Sequence, residues 1–146
     1  MTDNPEEWVE EDGMRWVGSR AELDAWKAYK QRKALAFVER GYSIAWYADA
    51  DGWIDVYEPQ RDHANMPEIR ASVKFYGKPS EYGIDGGMVS KLMITETWRD
   101  PLAHLLDGPS ERVNVVFNYD RGPDVNRLES HPRARRLYDA VLDELN

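Results

Sequence analysis

In five segments between Tyr42 and Asp120 the apolar residues recur at every second position, and that period restricts each of them to a strand with one buried face. "YSIAWYA" puts Tyr42, Ile44 and Trp46 on one side. "WIDVYE" separates Trp53, Asp55 and Tyr57 from Ile54 and Val56. "EIRASVKFYG" alternates Ile69, Ala71, Val73 and Phe75 with Arg70, Ser72, Lys74 and Tyr76. "MVSKLMITET" and "RVNVVFNYD" follow the same rule, the last with Val113, Val115, Phe117 and Tyr119 aligned. Short connections holding Gly, Pro and Asp favour an antiparallel meander over crossovers.

Helical signals flank this region. "SRAE" at Ser19–Glu22 is a capping box, and Gly41 suits a left-handed stop, so a helix is expected over 20–40. Pro132 opens a second helix, in which Ala134, Leu137, Tyr138, Val141, Leu142 and Leu145 form one stripe. Between the last two strands, "RDPLAHLLDGPSE" has Asp100 and Pro101 to start one or two helical turns and Gly108-Pro109 to end them. The expected fold is α+β: a five-stranded, mostly antiparallel sheet with an N-terminal and a C-terminal helix packed on one face. One domain is expected over 1–146. Residues 1–18 form an acidic arm whose Trp8, Val9, Trp16 and Val17 dock on the body or make a short strand.

Composition excludes several chemistries. With no Cys among 146 residues, disulfides, thiolate metal sites and cysteine nucleophiles are absent. A net charge of −8 argues against unaided binding to a phosphate backbone and fits a basic partner surface instead. No apolar run approaches the ~20 residues that span a bilayer. The acidic N-terminus lacks the pattern of a secretory signal, so a cytoplasmic location is expected.

Four motifs carry possible chemistry. In "YADADGWIDVYE" the acids Asp49, Asp51 and Asp55 fall at calcium-loop spacing around Gly52. Tyr47 stands where the first ligand is needed, however, and both flanks have strand period. Asp51-Gly52 therefore reads as a hairpin tip that pairs Ile44 and Trp46 with Ile54 and Val56. A loose divalent site there is the alternative, and no cofactor is implied.

"SEYGIDGGMVSKL" holds Gly83, Gly86 and Gly87 around Asp85, a backbone suited to cradling phosphate or simply to a structured turn. A phosphate loop would need Gly-Lys-Ser/Thr opening a helix, whereas Ser90-Lys91 enters a strand. "NYDRGPD" brings Asp120, Arg121 and Asp124 to a sheet edge, as a recognition site or a local ion pair.

His63, His104 and His131 show no metalloprotease spacing and no Ser sits in a nucleophile elbow. Basic residues line the first helix at Lys27, Lys30, Arg32 and Lys33. Arg133, Arg135 and Arg136 open the last helix against its dipole, which points to an acidic partner or a neighbour such as Glu129 or Asp139.

The segments Gly83-Ile84, Gly86-Gly87, Ser90-Lys91-Leu92 and Asn118–Gly122 resemble a family of small uncharacterised phage and prophage proteins. That family has a Gly-Ile-x-Gly-Gly-x-x-Ser-Lys-Leu segment, then Asn-Tyr-Asp-Arg-Gly and a closing helix. The likeness covers about residues 70–146. It departs at Pro123, where an aromatic is expected, and in a long 95–111 insertion. It implies a phage or mobile-element setting and no particular chemistry.

These features lead to a non-enzymatic binding protein that occupies a host or phage protein, for example in counter-defence. The alternative is a nucleotide- or phosphate-ligand-binding protein or small hydrolase, with Gly83, Asp85, Gly86, Gly87, Lys91, Asp120 and Arg121 around the ligand. A virion or assembly component, self-associating, is a third.

Overall fold

A computed structural model describes residues 8–11, 14–17, 19–47, 51–61, 65–77, 81, 83–100, 111–120 and 123–146. In chain order these form β1 (Trp8–Glu11), β2 (Met14–Val17), α1 (Arg20–Glu39), β3 (Ser43–Trp46), β4 (Trp53–Glu58) and β5 (Glu68–Phe75). Then come β6 (Val89–Arg99), β7 (Glu111–Asp120), β8 (Pro123–Asn126) and α2 (Pro132–Leu145), with 3₁₀ turns at Ile84–Gly86 and Leu128–Ser130. In the arm, β1 and β2 pair as a separate hairpin, Trp8 opposite Val17. The helical turns expected between Pro101 and Pro109 lie outside the described residues.

The class is α+β as the pattern requires, but the sheet has six strands, β3-β4-β5-β6-β7-β8, every pair antiparallel. The sixth is β8, four residues beginning with Pro123. Proline cannot donate to a ladder and is tolerated at the start of an edge strand, which is where β8 sits. A run this short and polar has no period to read.

Strand alternation sorts the sheet into two faces. Ile54, Val56, Ile69, Ala71, Val73, Phe75, Leu92, Ile94 and Phe117 are almost wholly buried under the helices. From α2, Ala134, Leu137, Val141 and Leu145 enter the same core, and Tyr138 stacks edge-on against Phe117 at 5.0 Å. Only Leu23 and Phe37 of the twenty residues of α1 are fully buried, so this helix is the less deeply anchored of the two.

Capping and a polar clamp compensate. The Glu22 amide donates to Ser19 Oγ at 3.2 Å. At the other end the amides of Gly41 and Tyr42 return to the carbonyls of Val38 and Phe37, closing a Schellman motif.

The clamp is Asp51. Its carboxylate accepts from Trp26 Nε1 and Lys30 Nζ of α1, both at 2.8 Å, and its carbonyl accepts from Lys74 Nζ at 2.7 Å. Six residues separate β3 from β4, and of Asp51 and Gly52 only Gly52 has positive φ (79°), so this is not a two-residue turn. The register is nonetheless Ile44 with Val56 and Trp46 with Ile54. Gly52 is required there: a Cβ would meet the Phe75 carbonyl oxygen at 2.8 Å.

Charge-assisted hydrogen bonds contribute about 1.5–3 kcal/mol, comparable to burying one Leu side chain. Asp51→Ala should therefore loosen α1 selectively. Hydrogen exchange should show faster α1 amides with α2 unchanged; equal acceleration of both helices would contradict the clamp.

Candidate functional site

Opposite the helices, the sheet face carries Tyr47, Trp53, Asp55 and Tyr57, then Glu68, Arg70, Ser72 and Lys74. Beyond them lie Lys91, Met93, Thr95, Thr97 and Arg99, with Val113, Val115, Asn118 and Asp120 on β7. No described helix or strand packs over it.

Of six large hydrophobic side chains left exposed among the described residues, Met93, Val113, Tyr47 and Tyr76 lie on this face or its rim, against two on α1, Leu35 and Val38. Val113 is there because of a bulge. Ile94 pairs with Phe117 but Thr95 with Val115, so Val116 is the extra residue. The expected alignment of Val113 and Val115 with Phe117 and Tyr119 is thereby broken. The first pair faces outward and the second inward.

A chain of charges crosses the face. Arg70 donates to Asp55 at 2.6 Å and to Glu68 at 2.8 Å; Arg99 reaches Glu68 at 3.3 Å and Glu111 at 3.0 Å. The Arg70 guanidinium also lies 4.1 Å from the centre of the Tyr57 ring.

Glu68 is only 5 % exposed. Burial alone would push its carboxyl up, but hydrogen bonds and attraction from Arg70 and Arg99 outweigh this and hold it below the usual carboxylate range. Arg70 is in turn held above its ordinary value, chiefly by its hydrogen bond to Glu68. A depressed carboxyl stabilises the fold above its unfolded value, and that contribution is lost as pH falls through the folded one. Lowering pH from 6 to 3 should therefore weaken the native protein more than Glu68→Gln in urea titrations. Equal acid sensitivity would contradict the assignment.

Beside this network lies a cavity of about 290 Å³ lined by Trp53, Ser72, Lys91, Met93, Asn118 and Asp120. Asp124 closes it, accepting from Asn118 Nδ2 at 3.3 Å. Lys91 and Asp120 thus come together, at 3.9 Å. Arg121 lies outside the described residues, as does Asp49.

The glycine turn lies elsewhere. Alternation puts Lys91 on the open face, whereas Gly83–Gly87 packs against the end of α2. Asn146 Nδ2 donates to the Ile84 carbonyl at 2.9 Å, and its Oδ1 accepts from the Val89 amide at 3.1 Å. A Cβ on Gly83 would sit 1.9 Å from the Gly87 carbonyl oxygen, and one on Gly87 would sit 2.2 Å from Asn146 Oδ1. Gly83 is there for close approach to the Gly87 backbone, Gly87 for close packing on Asn146, and Gly86 for its positive φ of 70°. Asp85 is exposed at φ 51°.

Gly83→Ala should lower the urea midpoint well beyond Gly86→Ala. Nothing lies within 4 Å of a Cβ at Gly86, so its cost is the left-handed backbone alone, about 1–2 kcal/mol. Equal losses would refute the packing account.

Of the acids at calcium spacing, Asp51 and Asp55 also serve the fold. Asp51 faces α1, while Asp55 faces Arg70 and Tyr47 on the open side. Among the described residues, no group of three His, Asp or Glu side chains is placed to hold a metal ion. The arginines opening α2 find their acids in Glu58, reached by Arg133 at 3.4 Å and Arg136 at 3.8 Å, and in Asp139, reached by Arg135 at 3.3 Å. No helix of the described residues is long and apolar enough to cross a membrane.

Residues 52–146 match a domain of unknown function, DUF7678, nearly two thirds of the chain. The chain belongs to this family. The DUF7678 match takes in β4–β8 and α2, including the open-face cavity and the glycine turn, while the β1–β2 hairpin, α1 and β3 precede it. No curated protein and no solved structure matches the chain.

Proposed function

We propose that this protein is a non-enzymatic binding protein that occupies the surface of a partner protein, with the open sheet face as its contact. The observation that carries this reading is the one-sided sheet. Both helices lie on one face, and the other gathers Tyr47, Tyr76, Met93 and Val113 in exposed positions around Trp53 and a pinned ion network.

Aromatics and Met with paired charges suit a protein contact, where a few buried anchors supply most of the affinity. The described charges on the face are mixed in sign, which does not suit a nucleic-acid backbone. The likeness of the Gly83–Leu92 and Asn118–Gly122 segments to phage proteins motivates a phage or mobile-element accessory role inside the host cell, counter-defence being one form of it.

Met93→Asp with Val113→Asp tests the reading, since both side chains are already in water and the fold should survive. A stoichiometric partner should co-purify from host lysate with the native protein and with Leu35→Asp on α1, and be lost from the double variant. Recovery of no stoichiometric partner, or equal recovery by all three, would count against it.

A further inference from the structure

A second cavity, of about 430 Å³, lies on the helix side of the sheet, lined by Asn65, Pro67, Glu96, Trp98, Arg112 and Asn114. It exists because β6 and β7 outrun their neighbours. β5 begins at Glu68 opposite Thr97, so Trp98 and Arg99 continue past it, paired with Arg112 and Glu111. Gln60 covers the bare edge this leaves. Its amide donates to the Arg99 carbonyl and accepts from the Arg99 amide, both at 2.7 Å, as a strand would. The shelf lies past the start of α2, where Arg133 holds the Pro67 carbonyl at 2.9 Å.

The side chains on the shelf form two cross-strand pairs, Trp98 with Arg112 and Glu96 with Asn114. Trp98, half-buried, makes no ring contact, and exposed Arg112 makes no ion pair or hydrogen bond with any described residue. They contrast with Arg70 and Arg99, each committed to two acids. The second pair is positioned: His131 Nδ1 lies 3.8 Å from Glu96, and Arg127 donates to Asn114 at 3.4 Å.

From this arrangement we infer a binding site for a nucleoside monophosphate. An unengaged indole offers a stacking surface to a planar ring, and stacking on an aromatic side chain contributes about 1–3 kcal/mol per base. An unpaired guanidinium is the group of choice for a phosphate dianion. Glu96 and Asn114, one strand pair deeper, supply acceptors and donors for a base edge, which a simple anion site would not need. The cavity volume lies within the ~300–1,000 Å³ of small-ligand sites. A free nucleotide fits better than a strand, because a single unpaired arginine on the shelf of a chain of charge −8 is no track for a phosphate backbone. This site lies on the opposite face from the partner surface, and the two meet at Val113, which also borders this cavity.

Isothermal titration of the full chain with AMP, GMP, CMP and UMP tests it, with adenosine, inorganic phosphate and a short oligoadenylate as comparisons. At least one monophosphate should bind tighter than its nucleoside or phosphate alone. Trp98→Ala and Arg112→Ala should each weaken it by tenfold or more, and oligoadenylate should bind no tighter than AMP. Arg112 is exposed, so its variant keeps the test valid if Trp98→Ala fails to fold. The proposal is overturned if no monophosphate binds at millimolar concentration or if Arg112→Ala binds as the native protein does. Oligonucleotide binding with a steep salt dependence would also overturn it, in favour of a strand groove.

Discussion

An antiparallel meander has one consequence that governs the rest of this molecule. Successive strands pair edge to edge, the two described α-helices come before the sheet and after it, and both land on the same face. That face becomes a dry core of Ile, Val, Leu and Phe. The other carries paired charges and amphipathic rings, with neither described α-helix packed on it. Glu68 is its keystone: almost buried, it is tolerable as a carboxylate only because Arg70 and Arg99 supply donors on both sides.

Two different devices close one end of the core, where β5 ends at Phe75 between Gly52 and Val89. Asp51 ties α1 to the β3–β4 connection and to Lys74, giving a shallowly packed helix a fixed seat. Asn146 ties the end of α2 to Ile84 and Val89 and needs glycine on the facing turn. Both motifs look like ligand sites in one dimension, an acidic loop and a glycine-rich loop. In three dimensions Asp51 is engaged by Trp26 and Lys30, and the turn's Ile84 carbonyl and the Val89 amide by Asn146. The DUF7678 match includes the glycine turn but begins at Gly52, just after Asp51, so the helix clamp belongs to the part of the chain that precedes it.

Period-two alternation was enough to place β3 to β7 and to pair Ile44 with Val56, because each of those strands buries one face. The capping box and Schellman glycine likewise located α1. What could not be read has physical reasons. The strand β8 is too short and polar to have a period, and the bulge at Val116 shifts β7 by one residue without any residue type that announces it. Lys91 and Asp120, grouped with the glycine turn around a ligand in the alternative reading, lie 3.9 Å apart. Their separation from Gly83–Gly87 depends on which face Lys91 occupies, and only the register shows that. The Trp98–Arg112 shelf was missed for the same reason: its significance lies in β6 and β7 projecting past β5, a difference in strand length that no motif records.

Because the chain has no cysteine, single thiols can report each face of β6 cleanly. Met93, 40 % exposed, and Ile94, fully buried, are adjacent residues on opposite faces. The account predicts that Met93→Cys reacts quickly with a thiol reagent in the free protein while Ile94→Cys is protected. It further predicts that host lysate containing the partner slows the first. A protected Met93→Cys in the free protein, or one equally reactive with and without lysate, would contradict the open face as the contact surface.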